Sequence, residues 1–330
     1  MACSMVPLRR SPDRRRVQTH PDRTSGGSAI VCAVDIAPLV DTQRLRNSDR
    51  EVEFRLVPTW DGLYTPIASC LPPGDGPHAV VLLAYGNGGG GLPWVQDAVL
   101  NRDLVVHQLL AAGYGAVWID YRTEVELGYH RGGLLTRDVR SGGEVFNRSP
   151  LEFEDQRAVV EYLAGRPDVD GYRIAAVGCS HAGEMLLKLA SGWDGLAAAV
   201  VAEPASHEFL ALRRQSDEDV ENLGVSDAAS VRPRMDLDVA TARAVAIGTP
   251  LLLMGRESDP LQGVFRATYE LLEEVGAPVT WTTHDHPEHG YVVPERRPDG
   301  TLADREGSLA AIAEAIEFLQ AHLGAGTLPA

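Results

Sequence analysis

The chain has 330 residues, 44% hydrophobic and 23% charged, the proportions of a soluble globular protein with room for one large domain or two small ones. A formal net charge of −16 sets the surface against phosphate backbones and anionic lipid, so neither nucleic acid nor a membrane is an expected partner. Lys188 is the single lysine, so a phosphate-binding loop ending in Gly-Lys-Ser/Thr cannot be built, and a Schiff-base mechanism would rest on that one residue.

Residues 1–28 are rich in Arg, Ser, Pro and Asp and read as a disordered basic tail ahead of a domain over 29–330. A secretory leader needs an apolar stretch after such arginines. Val17–Ser28 is polar, and a cytoplasmic location is expected. Cys3, Cys32, Cys70 and Cys179 are far apart, which suggests neither a zinc site nor a disulfide framework.

Regular patterning starts at Glu51. Glu51–Val57 alternates polar and apolar, Asp61-Gly62 is a hairpin signal, and Leu63–Leu71 returns as the partner strand. Ala79–Ala84 is apolar on both faces, as in the interior of a parallel sheet. A helix over Asp97–Ala112 ends at Gly113, and Gly115–Asp120 is the next strand. Thr123–Phe146 is a Gly- and Arg-rich loop. Ser149-Pro150-Leu151-Glu152 is a capping box that opens a helix to about Ala164. Strands follow at Arg173–Gly178, Leu196–Ala202, Pro250–Met254 and Val279–Thr283, with helices at about Leu261–Val275 and Gly307–Leu323. The polar span at about 207–246 reads as a helical cap insertion. This alternation predicts an α/β fold, a mostly parallel sheet with helices on both faces.

The strongest chemical signal is Gly178-Cys179-Ser180-His181-Ala182-Gly183, where an apolar strand runs straight into a helix. Small residues around the serine allow strand and helix to approach, and the turn pushes the hydroxyl outward: the nucleophile-elbow context. The competing reading makes Ser180 a plain helix N-cap. An acid is then needed after a late strand. Asp259 follows Pro250–Met254, with Glu257 as competitor in the same loop. A histidine is needed after the last strand, and His289 before Gly290 fits.

These segments, with Tyr85-Gly86, Asp120-Tyr121-Arg122 and Glu154-Asp155, resemble the α/β-hydrolases, above all the catalytic domain of the prolyl oligopeptidase and dienelactone hydrolase group, over roughly Glu51 to Leu323. The resemblance implies Ser180 as nucleophile, His289 as general base and Asp259 as orienting acid. It implies an oxyanion hole from the His181 N–H and the Tyr85-Gly86-Asn87-Gly88 loop, through either the Tyr85 hydroxyl or a backbone N–H near Asn87. Gly86, Gly88 and Cys179 are expected to border the substrate. Ala182 departs from the usual glycine. Peptidase members carry a propeller ahead of the catalytic domain, whereas only about fifty residues precede it here, which favours an ester hydrolase over a peptidase or amidase. The expected substrate is a small ester or short peptide, with no cofactor and no metal. A homo-oligomer is compatible with the sequence.

Two readings compete from other chemistry. Gly86–Gly91 satisfies Gly-x-Gly-x-x-Gly and Asp120 closes the next strand, as in a dinucleotide site, although Pro93-Trp94 interrupts the expected helix start. His284, His286 and His289, with Glu288, resemble the ligand cluster of a metal-dependent hydrolase, with only His322 downstream. A non-catalytic binder on the same fold is the third class.

Overall fold

The computed structural model describes residues 37–86, 90–122, 135–137, 144–146, 150–213 and 227–326. β1 (Leu39–Arg44), β2 (Glu51–Pro58) and β3 (Tyr64–Cys70) form an antiparallel meander. β2 buries Val52, Phe54 and Val57, the apolar set of its alternation. β1 was not anticipated: it is an edge strand with Leu39 and Val40 exposed, so no inward alternation marks it.

β4 (His78–Tyr85) starts the parallel part and is buried along nearly its whole length. Next come α1 (Gly91–Asn101) and α2 (Asp103–Ala111), where one helix over Asp97–Ala112 was expected. The break falls at Arg102 (φ −117°, ψ 34°), whose guanidinium donates to Val293 O at 2.6 Å and to Glu295. α1 begins on the glycine run itself. Pro93 sits in the first turn, where no intrahelical N–H is required, so Pro93-Trp94 interrupts nothing. The dinucleotide reading fails for other reasons. β3 pairs antiparallel with β5 (Gly115–Ile119), and the buried Asp120 accepts the Gly91 N–H at 2.9 Å, so the would-be ribose acid holds the helix start instead.

β6 (Leu135–Arg137) and β7 (Glu144–Phe146) form a separate two-stranded sheet. Then follow α3 (Pro150–Ala164), β8 (Val169–Cys179), α4 (His181–Gly192), β9 (Ala198–Ala202), α5 (Ala228–Val231), α6 (Leu237–Val245), β10 (Leu251–Arg256), α7 (Gln262–Glu274), β11 (Val279–His284) and α8 (Arg305–Leu323). In the span read as a cap, the described residues form α5, a short 3-10 helix at Arg232–Arg234 and α6. α6 packs on α4 and α7 and places Ala240 and Ala244 in the core.

The main sheet has nine strands in the order β1-β2-β3-β5-β4-β8-β9-β10-β11, parallel from β5 onward. Alternate strand residues feed two apolar layers. Val80, Leu82, Ala176 and Val201 meet α3, α4, α6 and α7 on one face. Val81, Leu83, Val177 and Val200 meet α1, α2 and α8 on the other.

Arg122 links the start of the domain to its centre. It reaches Asp155 on α3 (2.5 Å), Asp61 in the hairpin (2.8 Å) and Thr59 (3.1 Å), and its backbone N–H also donates to Asp155 (2.7 Å). Burial pushes the Asp155 carboxyl up, against the pull of Arg122. Removing the cation would strand a buried charge, which costs about 3–5 kcal/mol. Arg122→Leu is therefore expected to lower the urea midpoint by that amount of stability with an unchanged m-value, measured by equilibrium denaturation.

Candidate active site

β8 ends at Cys179 and α4 begins at His181, leaving Ser180 between them at φ 65°, ψ −126°. For a residue with a side chain this costs roughly 1–3 kcal/mol and persists only where the surroundings impose it. Here they do. The Ser180 N–H donates to Ala202 O at 3.0 Å, and its carbonyl accepts from Gly183 (3.0 Å) and Ala205 (3.1 Å). The hydroxyl makes no helix-capping hydrogen bond, so the plain N-cap reading does not describe it. A Cβ at Gly178 would lie 2.7 Å from Ala182 O, and one at Gly183 would lie 3.1 Å from Ala202 O. The close approach therefore rests on Gly178 and Gly183, and Ala182 fits fully buried where a glycine is usual.

His289 follows β11 and is one-third exposed, its side chain at 30%. Its Nδ1 lies 3.1 Å from Asp259 Oδ2 and 3.0 Å from Glu203 Oε1. Carboxylates only accept, so Nδ1 carries the proton and Nε2 is left for other work. Asp259 also takes the Leu261 N–H at 2.8 Å, combining the orienting contact with a turn ahead of α7. Glu257, the competing acid, is exposed and stands away from the ring, its N–H on His284 O.

Glu203 is the residue that the sequence reading missed. It stands just past β9 at φ 45° and is fully buried. It accepts from Arg256 Nε (2.9 Å), Gly290 N (2.7 Å) and Cys179 Sγ (3.5 Å) as well as from His289. Arg256, the last residue of β10, also donates to Asp259 at 2.5 Å. A charged residue directly after the apolar run Leu196–Ala202 was the available signal.

These contacts set the protonation of the ring. Burial pulls the His289 pKa down, but the hydrogen bonds to Asp259 and Glu203 overcome it and raise it to about 9. Asp259 is held below the usual carboxylate range: burial works against this, and the His289, Leu261 and Arg256 hydrogen bonds prevail.

The remaining expected residues fare differently. His181 is the first residue of α4, where the backbone N–H lies outside the helix's own ladder. Its ring is buried against Glu152 at 3.1 Å, which takes the capping-box glutamate into a side-chain contact; Ser149 lies outside the described residues. Gly86 donates to Cys179 O at 3.2 Å, so its N–H serves the sheet. The Tyr85 ring packs beside the histidine, with ring centroids 6.3 Å apart, under the Arg102 guanidinium at 3.9 Å. Asn87 and Gly88 lie outside the described residues. Cys179 is fully buried, and burial pushes its thiol well up.

The three histidines expected as metal ligands do not converge. His284 faces Glu314 at 3.0 Å, His286 faces the Glu288 backbone and Asp304 O, and His289 faces Glu203 and Asp259. His322 is exposed on α8. Cys179, Glu203 and His289 do lie together, their donor atoms within 4.8 Å of one another. A dication fits poorly there, because the Arg256 guanidinium already pairs with Glu203 at 2.9 Å and would repel it. A cavity of about 520 Å³ opens behind the histidine loop between Tyr85, Arg102, His289, Pro294 and Glu295; Ser180 is not among its walls.

Strand order, strand directions and the elbow together define the α/β-hydrolase fold. Solved structures agree. An esterase from Pseudomonas putida ECU1011 superposes with a TM-score of 0.53 at 19% identity, covering 86% of this chain and 85% of that one. A Pyrobaculum calidifontis esterase gives 0.53 at 18%, covering 88% of each chain. Porphyromonas gingivalis dipeptidyl peptidase 4 gives 0.54 at 17%, covering 83% of this chain and 36% of that one. No protein-family model and no curated protein sequence matches. Among the described residues no helix is long and apolar enough to cross a membrane.

The raised His289 pKa has a consequence for stability. A folded-state pKa above the unfolded value of about 6.5 contributes stability that is complete below that pH and is lost as pH rises through about 9. Wild type is expected to lose denaturant resistance across this window, and His289→Gln to lose less. Urea midpoints measured across the range check it.

Proposed function

We propose that the protein is a serine hydrolase that cleaves a carboxylic ester through an acyl-enzyme on Ser180. The observation that carries this is Ser180 itself, held in a left-handed backbone conformation at a strand-to-helix turn with its hydroxyl left out of helix capping. His289, its Nδ1–H facing carboxylates, is the general base, and Asp259 is the orienting acid.

In this scheme His289 Nε2 takes the Ser180 proton as Oγ attacks the acyl carbon. The tetrahedral oxyanion rests on backbone N–H groups at His181 and near Asn87. The intermediate collapses, the imidazolium returns its proton to the leaving alkoxide, and the C–O bond breaks. Water then repeats the sequence on the acyl-enzyme, regenerating Ser180 and releasing the acid. No cofactor enters, and a soluble small molecule is the fitting substrate. Structural neighbours named as esterases support the ester reading. Amide or peptide cleavage is the second reading, favoured by the dipeptidyl peptidase neighbour.

A chain-length series of p-nitrophenyl esters run beside aminoacyl-amides separates the two. Ester turnover is expected to exceed amide turnover, and Ser180→Ala is expected to lose about 10⁴-fold or more with all substrates. A fluorophosphonate should label wild type once and Ser180→Ala not at all. Because only the neutral imidazole can accept a proton, kcat/KM should rise with pH toward a midpoint near 9, read from a pH–rate profile.

A further inference from the structure

Glu203 carries two costs. A charged carboxylate with no exposure is expensive to bury, and a left-handed backbone at a residue with a side chain adds strain. Its backbone is pinned there by a 2.7 Å hydrogen bond from its N–H to Met254 O. One carboxylate oxygen faces Arg256 and His289; the other faces the Gly290 N–H, in the residue next to the histidine. Glu203 thus holds both the ring and the backbone that delivers it. Its 3.0 Å contact to Nδ1 matches that of Asp259 at 3.1 Å.

We propose that Glu203 is a second orienting acid for His289, a positioning residue able to hold the imidazole when Asp259 is absent. The proposal rests on the Ser180–His289 reading above. Arg256 makes two acids tolerable, because it contacts both and offsets one of their charges. The ring is also faced by Tyr85 from the end of β4 and by Cys179 from the end of β8, both of which keep their protons at neutral pH. Glu288, on the histidine's own loop, is paired with Arg297. Among the described residues, the carboxyl groups in contact with the ring are therefore those of Glu203 and Asp259.

The test is a double-mutant cycle on ester hydrolysis with Asp259→Ala, Glu203→Gln and the double variant. Fluorophosphonate labelling and thermal melts are run on each. Each single variant is expected to stay within about 100-fold of wild type, and the double to fall about 10⁴-fold, the loss seen when a histidine has no orienting acid. Glu203→Gln should also shift the kcat/KM pH midpoint downward, a change that a purely structural role would not produce. Asp259→Ala as inactive as the double variant, or a Glu203→Gln profile with an unmoved midpoint, overturns the proposal. Should Glu203→Gln fail to fold, the Asp259→Ala rate still decides. Wild type that neither turns over ester nor accepts the fluorophosphonate overturns the serine reading, and this proposal with it, whereas active wild type beside dead Asp259→Ala overturns only the role of Glu203.

Discussion

A buried guanidinium sits where three loops meet. Arg256 reaches Glu203 past β9, Asp259 past β10 and the backbone of His286 past β11. Without Arg256 there, two buried carboxyl groups sharing one imidazole would lose the cation that contacts both. The guanidinium's fixed fork meets both acids at once, which a lysine ammonium could not do in the same geometry. The histidine loop, the acid loop and the Glu203 turn are therefore held in mutual register by one side chain.

The sheet prepares that meeting. Register pairs Tyr85 with Cys179, Cys179 with Ala202, and Ala202 with Met254, so the carboxyl ends of β4, β8 and β9 are level, while β10 runs two residues further, to Arg256. The residues just beyond the three level ends are Gly86, Ser180 and Glu203. Each leaves its strand at the same height, beside the Arg256 end of β10, so residues distant in sequence share a common edge, the usual place for chemistry in open α/β sheets. At Ser180 and Glu203 the chain leaves its strand with positive φ, and the two proposals above rest on those two residues.

Much of this was legible in the residues. The buried strands announce themselves as apolar runs, and Gly178 and Gly183 mark the elbow, because a Cβ at either position would crowd the neighbouring backbone. Asp259 and His289 could be placed by their order after late strands. Glu203 carried only a weak signal, its place directly after an apolar run, since a glutamate before Pro204 reads as a loop residue until β9 and β10 are seen side by side. β1 escaped because an exposed edge needs no apolar alternation. The split between α1 and α2 escaped because Arg102 leaves the helix for partners almost two hundred residues away, at Val293 and Glu295. The histidine cluster misled for the complementary reason: spacing in a loop says nothing about where each ring points, and here each found its own acceptor.

That helix break gives Arg102 a reach that an unbroken helix would deny it. Its guanidinium lies over the Tyr85 ring, the ring fills the space left by Gly290's missing side chain, and the same cation holds the Val293 carbonyl. The far side of the sheet thus grips the histidine loop through an aromatic wedge. Packing changes under α1 and α2 would alter how firmly His289 is seated, so under the proposed reading the scaffold has a physical route to the reaction from that side of the molecule.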